Sequence, residues 1–294
     1  GTTFNGRVLT VASDGSLGAG GALTFTSSAT FQSSNNISTF NRDFALINGA
    51  LLSWDIGENS TNTIAGAVTG DGGFATTRQE GIRLTSTANT FTGPIIIGNH
   101  SPYWGSFETN SLADGPGMIL LGAEGGPGPG TFTYGAGAVA PLVLNQRQIN
   151  LGAPLSPGRD AYGLLQNNSG NPFVTITVNT DLLSTAAGEK LLRLGGINPG
   201  DNQIAGAIPD GGGMVRVTKE GGGKWILSGA NTYSGATAVT AGTLMIEGSC
   251  ASSDVTVSGT ARVGGGGSVK SLTINGGAGF VWSFGDGGDH TMDI

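Results

Sequence analysis

The chain is poor in charge. Only 11% of its 294 residues are Asp, Glu, Lys or Arg, and 13 basic residues face 20 acidic ones. A net charge of −7 repels phosphate backbones, and no basic cluster offsets it, which argues against nucleic acid as a partner. Cys250 is the single cysteine, so no intrachain disulfide can form. That excludes a small disulfide scaffold and fits an exported bacterial protein or an intracellular one. His100 and His290 are the only histidines, and neither has a Cys or second His at metal-ligand spacing. There is no Gly-x-Ser-x-Gly elbow and no phosphate loop with its lysine, so no cofactor is implied. No apolar run is long enough to span a membrane. No signal peptide is visible and the chain starts at Gly1 without a Met, so it reads as a processed or excised piece of something longer.

Glycine is abundant, at 55 residues, and Ser, Thr and Asn fill much of the remainder. Such a composition reads as low-complexity unless apolar strand runs recur, and here they do. The stretch from Gly221 to Gly248, GGGKWILSGANTYSGATAVTAGTLMIEG, has two such runs, Trp225-Ile226-Leu227 and Leu244-Met245-Ile246. A turn of Gly, Asn, Thr and Ser flanks Tyr233. The pattern returns as Ile82 to Gly98, IRLTSTANTFTGPIIIG. A unit this small cannot bury its own apolar residues and needs a copy stacked on it.

Longer matches follow. Asn62 to Val68, NTIAGAV, pairs with Asn202 to Ile208, NQIAGAI, 140 positions on. Asn89-Thr90-Phe91 pairs with Asn231-Thr232-Tyr233, 142 on. Ser16-Leu17 resembles Ser111-Leu112 at 95, and Asn41-Arg42 resembles Gln146-Arg147 at 105. The jump in offset implies roughly 35 extra residues between Asn150 and Asn202. Within them, Phe173 to Val178 and Leu191 to Leu194 read as strands. Gly1 to Val11 resembles Gly235 to Ile246, so the chain opens inside a repeat. Three units result: a first module at 1–98, a second at 99–248 with inserts near 99–108, 122–140 and 152–200, and further coils at 249–294.

No helical period is sustained; one short helix is conceivable from Leu182 to Leu194, capped by Ser184 or Thr185. Short strands with Gly-rich turns must close as a sandwich, a barrel or a solenoid. Internal similarity favours the solenoid, an all-β parallel β-helix of right-handed sense with inserted loops. Inward Val, Ile, Leu and Phe then form ladders. At roughly 20 to 25 residues per coil it has about 12 to 14 coils and a length of ~60 Å.

The stretch from Gly221 to Gly248 resembles the autotransporter-associated β-strand repeat, also called the passenger-associated transport repeat. Ser16 to Gly18 and the two Ile-Ala-Gly-Ala stretches resemble flanking coils of the same proteins. Val269 to Asp293, with Trp282 and Asp286, resembles a coil that follows the repeat in large surface proteins. The resemblance implies an exported β-helical passenger, extracellular or displayed on a bacterial surface. No translocator barrel and no protease-type motif accompany it here.

Candidate sites are sparse. Asn99 to Glu108, NHSPYWGSFE, places Tyr103, Trp104 and Phe107 in what reads as a polar loop, where they could stack on a sugar ring or anchor a protein. Gly122 to Ala140 reads as a wandering loop packed by Phe132 and Tyr134. Asp286, Asp289 and Asp293 have calcium-friendly oxygens, but the nonapeptide calcium repeat does not recur, so they read as a turn. Asp55 with Glu58, or Arg159 with Asp160, could serve a polysaccharide lyase or hydrolase, and otherwise are solvated turn charges. The expectation is a non-catalytic structural or adhesive module, whose neighbours are further coils of the same or identical chains, with end-to-end joining into a filament as one form of that assembly. The alternatives are a β-helix carbohydrate-active enzyme and a carbohydrate-binding surface module, with cell-surface glycans or proteins as targets.

Overall fold

The computed structural model describes residues 1–294 except 13, 19, 34–38, 56–59, 77–79, 99–103, 123–127, 153–161, 284–288 and 294. It is a parallel β-solenoid of about 10 turns with no α-helix among the described residues. Four sheets run along it, of four, seven, eleven and eight strands, termed sheets I to IV. Sheet I holds Thr2–Phe4, Leu23–Phe25, Phe44–Leu46 and Val68–Gly70. Each of these strands is followed by a strand of sheet II, which runs from Val8–Val11 to Ile149–Leu151. Sheet III runs from Thr39–Phe40 to Ser268–Ile274 and comes third in the coils that carry strands of three sheets, such as Leu23–Phe25, Ala29–Ser33 and Thr39–Phe40. Sheet IV begins at Leu142–Leu144 and takes the angular place of sheet I, because that strand again precedes one of sheet II. Those coils are three-sided, and among the described residues the coils after Gly163–Asn167 carry strands of sheets IV and III alone.

Coil length varies more than the sequence suggests. In sheet III, Gly130 aligns with Gly163, 33 residues on, whereas Val255 aligns with Leu272, 17 on. Long middle coils explain why there are about 10 turns rather than 12 to 14. Eleven strands at ~4.8 Å spacing give sheet III a length of about 50 Å.

Alternation sets the core. Strands such as Ile95–Ile97 and Val215–Lys219 bury every second residue, which puts one face inward and one outward. The early coils are filled by aromatics. Phe25, Phe31, Phe40, Phe44, Trp54, Phe74, Phe91, Phe107 and Phe132 are all buried, and Phe31 stacks on Trp54 at 4.7 Å between ring centres. Later coils use Leu, Val and Ile, with Trp225 donating its indole N–H to the Gly195 carbonyl at 2.9 Å. Aromatic pairs interact beyond the area they bury, so the early coils are held by rings and the late ones mostly by aliphatics.

Three expectations are corrected. Leu182 to Leu194 is not helical. Leu182 N–H bonds to the Ala207 carbonyl on the next coil, Leu183 bridges Asn150, and Lys190–Gly196 is a strand of sheet III. Pairing between coils satisfies backbone groups that a helix would satisfy within itself. Within Gly122 to Ala140, read as a loop, Gly130–Tyr134 is a sheet III strand, and 123–127 lie outside the described residues. Of the expected strand Phe173 to Val178, only Ile176–Val178 forms, and Phe173 is 82% exposed.

The matched segments also share corner chemistry. Ala67 N–H donates to Asp43 (2.8 Å) and Ala207 N–H to Asp181 (2.7 Å). Val68 N–H donates to the Asn89 side chain and Ile208 N–H to that of Asn231, both at 3.0 Å. The first set stands at the corner from sheet III to sheet I. The second stands at the corner leaving sheet IV. Identical corners thus recur one side of the coil apart.

Candidate functional site

Trp104 is half-buried at the entry to the strand Gly105–Thr109, at the corner where the chain passes from sheet II to sheet III. Pro129 and Tyr162 hold the same place before Gly130–Tyr134 and Gly163–Asn167. The three glycines that follow are in register across the sheet. Gly105 N–H donates to the Pro129 carbonyl and Gly130 N–H to that of Tyr162, each at 2.9 Å. Gly105, Gly130 and Gly163 are buried, so strand alternation turns the preceding residue outward. Trp104, Pro129 and Tyr162 therefore form a row along the rod.

Beside that row lie Ser106, Thr131, Leu164 and Arg193, in register, and then Glu108, Thr133 and Gln166. The Arg193 guanidinium stacks over the Tyr162 ring at 4.3 Å and reaches Glu220 at 3.6 Å. Arg83 pairs with Glu108 at 2.8 Å, Arg216 pairs with Glu189, and Gln166 donates to Thr133 at 2.8 Å. This face is a flat polar surface with a partly exposed aromatic edge.

Of the sequence-derived candidates, Trp104 belongs to this face and Tyr103 lies outside the described residues. Phe107 does not belong to it. It is fully buried, stacked on Phe132 at 6.2 Å and against Phe74 and Phe91. The early coils fill their interior with rings, so Phe107 marks the core and not a loop. Asp286 lies outside the described residues, as do the side chains of Asp289 and Asp293. Among the described residues no three His, Cys, Asp or Glu side chains cluster as a metal site. Asp55 accepts Gln32 from the preceding sheet II strand at 2.9 Å, and Glu58, Arg159 and Asp160 lie outside the described residues. Tyr162 and Arg193 escape sequence reading, although a bulky residue before glycine at the start of each strand (Trp104, Pro129, Tyr162) is a signal that could find the row.

The interior holds charges as well. Arg147 is buried at a corner, where its guanidinium donates to the carbonyls of Gly93 (2.7 Å), Gly117 (2.8 Å), Phe91 and Ala113. Burial brings its pKa down to about 10, with the Asp114 charge opposing. Partial burial raises Asp114, but backbone N–H groups of Arg147, Gln146, Asn145 and Gly115 outweigh that and hold it below the usual carboxylate range. Arg42 repeats the device with Asp14, at 2.5 Å, and the Asp14 and Gly18 carbonyls. Lys219 is fully buried and caps three carbonyls, those of Glu220 (2.7 Å), Gly221 (2.8 Å) and Ala241 (3.0 Å). These groups hold the corners together.

One coil stands apart in its sequence specificity. Trp225 aligns with Leu244 in sheet IV, 19 residues on, so Lys224 to Thr243 completes one turn. At its corner the Asn231 amide donates to Gly229 (3.0 Å), and Tyr233 is buried with its hydroxyl 2.7 Å from that of Thr237. Residues 217–246 match the family described as passenger-associated-transport-repeat. Over these residues the chain is similar to a passenger-associated transport repeat. The repeat spans the last part of the sheet III strand Val215–Lys219 and the whole turn after it. Over 248 residues, 83% of its length, the chain is 27% identical to the BmaC autotransporter adhesin of Brucella suis biovar 1 (strain 1330). It spans 6% of the length of that relative. No solved structure matches it. No helix among its described residues is long and apolar enough to cross a membrane.

Proposed function

We propose that this chain is an adhesive, non-catalytic stretch of a surface-displayed or secreted bacterial passenger. The observation that carries the reading is the likeness to an autotransporter adhesin over most of the chain, together with the passenger repeat. The fold supports it physically. A solenoid gives length and stiffness, because each coil is held by its neighbours. It also repeats outward faces at a fixed pitch, which suits many weak contacts more than one catalytic pocket. The described ion pairs are spread along the rod, from Asp14–Arg42 to Asp254–Lys270, rather than gathered at one centre.

Modules at 1–98, 99–248 and 249–294 are part of the same proposal, with the shared corner hydrogen bonds as support. End-to-end stacking is a further part. Coils pair through backbone hydrogen bonds that a coil of another copy could make in the same way. Light scattering that gives a constant monomer mass at all concentrations removes that part alone.

The test is display of the chain on a non-adherent bacterial strain, followed by counting of cells retained on epithelial monolayers. Retention well above the undisplayed strain is expected. Equal retention, or release of reducing ends from polysaccharides by the purified chain, overturns the reading.

A further inference from the structure

We propose that the outer face of sheet III binds an extended, β-linked, uncharged polysaccharide lying along the rod. The proposal rests on the adhesive reading and names its ligand class. It begins with where the rings are. Buried aromatics fill the early coils, yet Trp104 and Tyr162 sit half-exposed in one outward row. Trp and Tyr at a surface pair an apolar ring with a polar tip, and Arg193 already covers one face of Tyr162, which leaves the Trp104 ring and the other face of Tyr162 for a ligand. They stand two strands apart, with Pro129 between, so about 9 to 10 Å separates them along the axis. An extended β-linked glycan turns every second sugar the same way, at a repeat close to that distance. An α-linked glycan coils and does not.

The chemistry beside the row fits the same ligand. A pyranose ring has an apolar C–H face and a belt of hydroxyls. Rings take the face, while fixed donors and acceptors take the belt. Thr131, Gln166 and Glu108 lie on the adjoining outward rows, with Gln166 and Glu108 each held by a neighbour. Among the described residues of this face, Arg83 pairs with Glu108, Arg193 with Glu220, and Arg216 with Glu189. Paired charges offer hydrogen bonds without a net field, which suits a neutral polymer over an anionic or cationic one. Arg193 also fixes the Tyr162 ring in place, which reduces the entropy lost on binding.

The test is calorimetric titration of the purified chain with cellohexaose and chitohexaose, against maltohexaose as the α-linked control. At least one β-linked hexamer is expected to bind, and maltohexaose to bind more weakly. Trp104→Ala and Tyr162→Ala should each weaken binding about tenfold. Tyr162→Phe keeps the stacked ring and should bind as the wild type does. Unchanged urea midpoints would show that the variants are folded. Binding that neither alanine variant alters overturns the proposal. So does absence of binding by both β-linked hexamers in a chain that still attaches to cells, which leaves the adhesive reading standing. Absence of both glycan binding and attachment overturns both.

Discussion

Lys219 shows how a single residue can serve a turn and still penalise it. Its ammonium satisfies three carbonyls at a corner, but burial pushes its pKa down to about 8 from 10.5, with the Glu220 charge opposing. Below pH 8 both folded and unfolded chains carry the proton, and the full burial penalty is present. Between about 8 and 10.5 the folded chain gives up the proton while the unfolded chain keeps it, so stability rises with pH. Lys219→Met removes this dependence. In urea melts from pH 7 to 10, the wild type should gain on the Met variant by at most about 1.4 kcal/mol per pH unit. A constant gap across that range would show that Lys219 does not titrate there. At the same scale, Trp104 and Phe107 explain a misreading. Three positions apart in sequence, they take opposite sides of one strand entry, and composition alone cannot separate a wet ring from a dry one.

Corners are the elements that decide this fold. After sheet IV, Gly206, Gly229, Gly248 and Gly267 stack coil upon coil, and a Cβ on any of the last three would press into the carbonyl of the glycine before it. Backbone there does not yield easily, since it is hydrogen-bonded to its neighbours: Gly248 N–H bonds to Leu227 O and Ser268 N–H to Gly248 O. Gly248→Ala should therefore cost about 1–3 kcal/mol, as overpacking does. Gly222→Ala meets nothing within 4 Å and should leave the urea midpoint almost unchanged. Equal effects of the two would mean that the glycine stack does not constrain the coil.

Corners also explain what could be read in advance. The parallel solenoid, the recurrence of Asn-Thr-aromatic and Ile-Ala-Gly-Ala, and most strands follow from motifs whose hydrogen bonds are local to two adjacent coils. The one-sided shift between copies does not. Ala67 and Ala207 make the same bond wherever their corner stands, so nothing in the motif reports which sheet precedes it. The site was legible only at Trp104. Tyr162 and Arg193 join it through a register set by coils of 33 and 29 residues, seen in Gly130 with Gly163 and Gly163 with Leu192, and such irregular spacing hides the row.

As a whole, the molecule is a rod about 50 Å long in its longest sheet, with an aromatic core at one end and a largely aliphatic one at the other. Its stability is a chain of neighbour contacts rather than one central core. Its surface repeats at the strand pitch, and on sheet III that repeat carries the aromatic row. Attachment of latex beads coated with the chain to epithelial monolayers tests the account most directly. Beads carrying the wild type should be retained several-fold above albumin-coated beads, and beads carrying Trp104→Ala with Tyr162→Ala should fall most of the way to the albumin level. Wild-type beads retained no better than albumin beads would contradict it.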